Sequence, residues 1–171
     1  YDWLAKLHEA QNDTNTAQQT LETAVALSPL HIRRQKELAE VAVQNHDYDT
    51  AEKALKKTVD VAKYSSYRAV EDYAALARVQ IAKGDLEAAT QTVNNVRREF
   101  RKNPTAEWMA NIIDSQIFKK QGQPHRGREI LDEAIKRMPE VGGVLSPAAK
   151  MELIQACYAR ARRAGGERLG Q

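Results

Sequence analysis

Four histidines, His8, His31, His46 and His125, one cysteine, Cys157, and a glycine-bearing stretch "GQPHRG" from Gly122 are the residues whose types could do chemistry. An imidazole can act as a general base or metal ligand, a thiolate as a nucleophile, and a glycine-rich loop as a phosphate cradle. Their spacing argues against each role. The histidines fall in different stretches, none with a Cys or second His at metal-ligand separation, so they read as surface or turn residues. "GQPHRG" lacks the Gly-Lys-Ser/Thr ending of a phosphate loop and no strand pattern precedes it, so it reads as a helix-to-helix turn. Cys157 shares a helical face with Met151, Ile154, Tyr158 and Ala161, which predicts a packed thiol. No nucleophile, base and oxyanion stabiliser converge, and no triad or zinc-protease motif occurs. The expectation is a chain with no catalytic residue, no metal and no cofactor.

What remains is charge. The 26 basic and 23 acidic residues give a formal net charge of +3, too mild a bias to imply nucleic acid. The cations cluster at Arg33-Arg34, at Arg97-Arg98 with Arg101-Lys102, and at Arg160, Arg162 and Arg163. Near helix ends such clusters complement the backbone dipole. Apolar residues at 42%, with 8 Gly and 5 Pro in 171 residues, suit one ordered, helix-rich domain. A single cysteine excludes an internal disulfide framework, and no apolar run reaches the roughly 18–20 residues of a membrane span. With no signal segment in view, a cytoplasmic location is expected. The sequence opens at Tyr1 inside an amphipathic pattern and reads as a piece of a longer protein.

The elements that would position any site repeat themselves. Asp13, Asp47, Asp85 and Gln123 follow similar turns at intervals of 34, 38 and 38 residues, a period that signals a repeat array. Eight residues upstream of each of the first three lies Ala5, Ala39 or Ala77, preceded by Leu; four residues downstream lie Ala17, Ala51, Ala89 and, in the fourth copy, Gly127. Small residues there let paired helices approach closely. Farther along come Leu21 with Ala24, Leu55 with Thr58, Val93 with Val96 and Leu131 with Ala134, each pair on one face and able to cover the next hairpin. Proline closes copies at Pro29, Pro104 and Pro139.

The pattern predicts helices over about 1–11, 14–27, 31–45, 48–62, 67–83, 86–102, 105–121 and 124–138. A loop "PEVGGVLS" follows, and Ser146-Pro147 starts a ninth helix over 147–164. That helix reads as a cap on the last hairpin, or as the first helix of a truncated fifth repeat.

These residues resemble the tetratricopeptide repeat family, whose unit is a pair of antiparallel helices. The match lies in the Leu-Ala pair, the turn, the small residue and the closing proline, and covers residues 1 to about 139. The family's early tryptophan is replaced by Tyr1, Gln35, Tyr73 and Asn111, and copies two and three carry about four extra residues. The resemblance implies an all-α, right-handed superhelical solenoid: a single domain over 1–171 with repeats at about 1–30, 31–65, 66–104 and 105–139. It further implies a non-catalytic scaffold that binds a peptide or partner protein on a concave surface lined by the first helices. Carried over position by position, that surface holds Lys6, Lys36, Glu40, Arg78, Gln116 and Lys120. Four of the six are basic, so an acidic or carboxylate-bearing segment is the expected ligand. The family's chaperone-binding set of Lys and Asn is not matched.

The run from Tyr1 through Val59, with "DYAALARVQIAKGDLEAATQTVNNVRREFR", is also similar to the repeat region of bacterial response regulators. It implies an output module whose receiver lies upstream. Two other readings stay open: a nucleic-acid-associated helical repeat, suggested by the arginine clusters, and a self-assembly module. Trp3 and Trp108 are possible anchors of the latter, although core packing is the expected role of both.

Overall fold

The computed structural model describes residues 1–136; the expected loop after Pro139, the helix over 147–164 and Cys157 lie outside the described residues. Among the described residues, eight helices and no strand make up the fold. They are α1 (Asp2–Ala10), α2 (Thr14–Leu27), α3 (Ile32–Gln44), α4 (Tyr48–Ala62), α5 (Val70–Lys83), α6 (Leu86–Glu99), α7 (Pro104–Lys120) and α8 (Pro124–Lys136). The chain forms two compact units, Tyr1–Thr92 and Val93–Gln171, with the boundary inside α6.

One local device, repeated four times, makes the hairpins. Asn12, His46, Gly84 and Gly122 occupy equivalent turn positions, and all four have left-handed backbones, with φ of 59°, 59°, 91° and 77°. The amide of the next residue then reaches back over the end of the first helix. Asp13, Asp47, Asp85 and Gln123 donate their N–H groups to the carbonyls of His8, Ala42, Gln80 and Phe118 at 2.8–2.9 Å. This satisfies a helix-end acceptor and turns the chain. The three aspartates also start the second helices, their carboxylates accepting from the amides of Thr16, Thr50 and Ala88 at 3.0–3.1 Å. These bonds hold the Asp13 and Asp47 carboxyls below the usual range. Gln123 has no such carboxylate, but Pro124, first residue of α8, brings a preset φ.

Close helix approach within each hairpin follows from the small residues. Ala5, Ala17, Ala39, Ala51, Ala77 and Ala89 are all buried. At the fourth position Gly127 is required, because a Cβ there would lie 2.6 Å from the Ser115 carbonyl oxygen. Trp108 of α7 is 3% exposed and donates its indole N–H to the Ala134 carbonyl of α8 at 3.0 Å. It is a core residue, as expected. Trp3 is not: it stands 75% exposed on α1, because its equivalents Glu37 and Ala75 mark a position at the edge of the buried face, not within it.

Stacking of successive hairpins shows in the substitutions as well as in the burial. In unit 1, Val25 and Val59 both pack against the buried cluster that holds Leu38 and Leu76. At the corresponding step in unit 2 both partners change together: Arg97 takes the valine position and Asp114 the leucine position, 2.7 Å apart. Arg97 also donates to Asn111 and Glu107.

The extra residues are placed differently from a simple lengthening of each copy. α5 starts at Val70, three residues later than the spacing suggests, because residues 63–69 form a turn in which the Ser65 hydroxyl donates to the Ala62 carbonyl and accepts from the Tyr67 amide. α6 ends at Glu99 and does not run to 102: Lys102 turns left-handed, with φ 65°, and Asn103 donates its backbone N–H to the Phe100 carbonyl before capping α7. The later addition instead lengthens α7, which has 17 residues against 13 in α3.

Candidate functional site

In unit 1 the first helices are cross-linked sideways by ion pairs. Arg34 of α3 grips the Asp2 carboxylate of α1 through two nitrogens, at 2.7 and 3.2 Å. Those bonds from Arg34 lower the Asp2 pKa. Lys36, two residues farther on, places its ammonium 2.6 Å from Asp72 Oδ1 of α5. Asp72 is buried, and burial raises its pKa although the bond from Lys36 works the other way. Lys36 is therefore the lysine of a half-buried pair, and an anionic ligand must compete with Asp72 for it.

The other residues expected in this unit lie on the same three first helices. Lys6 is exposed on α1 and Glu40 is exposed on α3, one turn beyond Lys36. The Glu40 carboxyl is pushed up, first by partial desolvation, then by Glu37 and Glu9, with Lys36 opposing. Arg78 is half-buried on α5, where burial lowers its pKa. Gln116 and Lys120, both on α7, belong to unit 2 and are exposed. The six residues thus divide into a group of four and a group of two.

Sequence reasoning overlooked the carboxylates. Asp72 and Asp2 carry no motif; they are found only by matching acids across adjacent first helices. It also missed a cleft of about 620 Å³ on unit 1, floored by Val25, Leu38 and Ala54 with Lys53 and Lys57 at its edge. None of the six expected residues lines it.

The residues that first suggested chemistry do not converge. His31 caps the start of α3 and His46 lies in the turn at its other end, His125 is exposed on α8, and His8 is half-buried on α1. The His31 ring accepts from the Arg34 amide at the start of α3, and His46 meets the Tyr48 hydroxyl at 3.1 Å. Among the described residues no three His, Cys, Asp or Glu side chains gather as a metal site, and no helix is long and apolar enough to cross a membrane.

Comparison with known proteins agrees with the helical-repeat fold. The sequence model of the tetratricopeptide repeat family matches residues 36–104. The crystal structure of MamA superposes with a TM-score of 0.63 at 15% identity, covering 94% of this chain and 96% of that one. Two structures of nearly identical TPR-like repeats from a Podosopora anserina putative kinesin light chain follow. The first, a glutamine-to-methionine point variant, has a TM-score of 0.61 at 19% identity, covering 97% of this chain and 87% of its own. The second, without that substitution, has 0.59 at 19%, covering 97% and 88%. Among curated proteins, none matches the sequence. The fold is all-α helical repeat, and residues 36–104 are similar to the tetratricopeptide repeat family.

Proposed function

We propose that this chain is a non-catalytic scaffold that binds a protein segment along the first helices of unit 1, with Lys6, Lys36, Glu40 and Arg78 in contact with the ligand. Tetratricopeptide repeats generally mediate protein–protein interaction. The observation that carries the reading is the Lys36–Asp72 pair. It holds a cation 2.6 Å from a carboxylate on the next first helix, and an incoming acidic group can replace that carboxylate. The helices are held by packing before any ligand arrives, which reduces the ordering cost of binding. Gln116 and Lys120 are proposed to contribute similarly on unit 2.

The ligand class follows from charge. Lys6, Lys36 and Arg78 are cationic and Glu40 is the one carboxylate among the four, so an acidic segment is favoured. Nucleic acid is the less favoured partner. Two of the arginines a phosphate backbone would need are already engaged: Arg34 with Asp2, and Arg97 with Asp114. As a finer reading, the similarity to response regulators makes the module a cytoplasmic output surface in bacterial signalling.

The test is capture of partners on the immobilised chain, elution with rising salt, and comparison with the Lys36→Glu/Arg78→Glu double variant after circular dichroism shows that it folds. The expected result is a protein released by salt and not retained by the variant. Equal retention by both baits sinks the assignment of the surface, and a nucleic acid retained at about 50 mM salt and lost steeply above it would replace the proposed ligand.

A further inference from the structure

Every described residue that lines the cleft of about 620 Å³ belongs to α2, α3, α4 or the turn between α2 and α3, all within unit 1. The cleft follows from small side chains that the repeat register does not demand. α2 carries Ala26 where α4 has Asp60 and α6 has Arg98, and α4 carries Ala54 where α2 and α6 have Thr20 and Thr92. Thr92 uses its place to donate its hydroxyl to the Gln80 side chain at 2.8 Å. Ala54 has no side chain long enough to fill the corresponding space, and Val25 and Leu38 line the cleft beside it. Ala26 and Pro29, both exposed, extend the apolar lining along the α2 side.

One wall of this cleft is cationic. Lys53, Lys56 and Lys57 line it from α4, and all three are exposed. Glu52 engages Lys56 at 2.7 Å, whereas among the described residues neither Lys53 nor Lys57 has a carboxylate partner. Like charges four residues apart on one helix repel, and an anion placed over both relieves that repulsion. The row is peculiar to α4: the same three positions are Gln19, Glu22 and Thr23 in α2 and Gln91, Asn94 and Asn95 in α6. The repeat itself therefore does not require it. The opposite wall contributes Glu22, which already accepts from the Gln18 amide at 3.0 Å, and Asp60 lies a turn beyond the lysines on α4. The result is an apolar channel whose positive charge is concentrated on one side.

We propose that this cleft is a second interaction surface, which takes an amphipathic helix of a partner protein. Its apolar residues sit between α2 and α4, and its carboxylates occupy the flank that faces Lys53 and Lys57. A helix is the form that fits. α2 and α4 bond their own backbones and offer no ladder to an extended strand, so the occupant must satisfy its own amide and carbonyl groups. From Thr50 to Asp60 the lining stretch of α4 is about 15 Å long, or about three turns. That length admits apolar residues at i, i+3 or i+4, and i+7. Apolar contact supplies the affinity, and the lysines fix which flank of the helix faces α4. None of Lys6, Lys36, Glu40 and Arg78 lines the cleft, so this surface and the one along the first helices stand or fall separately.

Selection of stapled helical peptides from a randomised library against the whole chain tests this, followed by fluorescence anisotropy of the enriched sequences. The expected result is enrichment of helices with an apolar stripe and Asp or Glu along one flank, whose affinity falls as salt rises. Two variants at exposed positions, checked for folding by circular dichroism, locate the site. Ala26→Trp fills the cleft, and Lys53→Glu/Lys57→Glu reverses the charge of its wall. Each should weaken the enriched helices by about 10-fold or more, and the charge-reversed chain should instead select helices flanked by Lys or Arg. Lys36→Glu/Arg78→Glu should leave their affinity unchanged. Absence of any enriched helix, enriched helices without an acidic flank, or an affinity that either cleft variant leaves unchanged overturns the proposal. Acidic helices lost only from Lys36→Glu/Arg78→Glu would overturn it while supporting the surface along the first helices. Phosphatidylserine vesicles that bind the chain and are released by Lys53→Glu/Lys57→Glu, with no helix selected, would overturn it in favour of a lipid surface.

Discussion

Glu52 shows how much of unit 1 depends on single polar groups. It is buried on α4, yet its carboxylate meets Lys56 at 2.7 Å, Lys83 at 3.0 Å and the Gln80 amide at 3.2 Å. Gln80 in turn accepts from the Thr92 hydroxyl at 2.8 Å. Burial alone would raise the Glu52 pKa, but the bonds from Lys56, Lys83 and Gln80 outweigh it and bring it from 4.5 to about 2. The folded value lies below the unfolded one, so ionised Glu52 stabilises the fold above about pH 4.5 and that contribution is lost as pH falls toward 2. Glu52→Gln should lower stability at pH 7 by about 3 kcal/mol and flatten the acid limb, measured by urea unfolding across that range. Asp72 has the opposite sign. Its pKa is raised, so its ionisation costs stability as pH rises through the folded value. Asp72→Asn should therefore be neutral or slightly stabilising at pH 7 in the same assay, while releasing Lys36 from its partner. Neither residue stands out in the sequence, because both act through helices that lie about 30 residues away along the chain.

At the level of elements, the helices were legible because each is bounded by its own chemistry. The left-handed residue before Asp or Gln stops the first helix and the Asp side chain starts the second. Asp47→Ala removes the cap on α4 and the Gln18 contact, and should cost about 1–2 kcal/mol in urea unfolding. The buried contact at Gly127 is stricter. Gly127→Ala would put a methyl carbon 2.6 Å from a backbone oxygen, which cannot swing aside as a side chain would. The expected cost is about 1–3 kcal/mol from overpacking, where a solvent-exposed helical Gly→Ala would stabilise. A rise in thermal midpoint would show that the α7–α8 hairpin is looser than described. The end of α6 and the start of α5 were less legible, since residues 63–69 and 100–103 contain good helix formers and are turned by hydrogen bonds at Ser65 and Asn103.

For the molecule as a whole, periodicity identified the fold because a period of 34–38 residues with small residues at fixed offsets admits few architectures. Function is less legible. Side chains such as Lys36 and Arg78 are placed by the register, but their availability depends on acids in neighbouring helices, and a repeat surface has no reactive group to name its ligand. The measurement that bears most directly on the scaffold reading is quantitative mass spectrometry of proteins retained from lysate by three folded baits: wild type, Asp72→Asn, and Lys36→Glu/Arg78→Glu. The account predicts a partner held by wild type, held more strongly by Asp72→Asn because Lys36 is released, and lost from the double variant. The same proteins at the same levels on all three baits would contradict it.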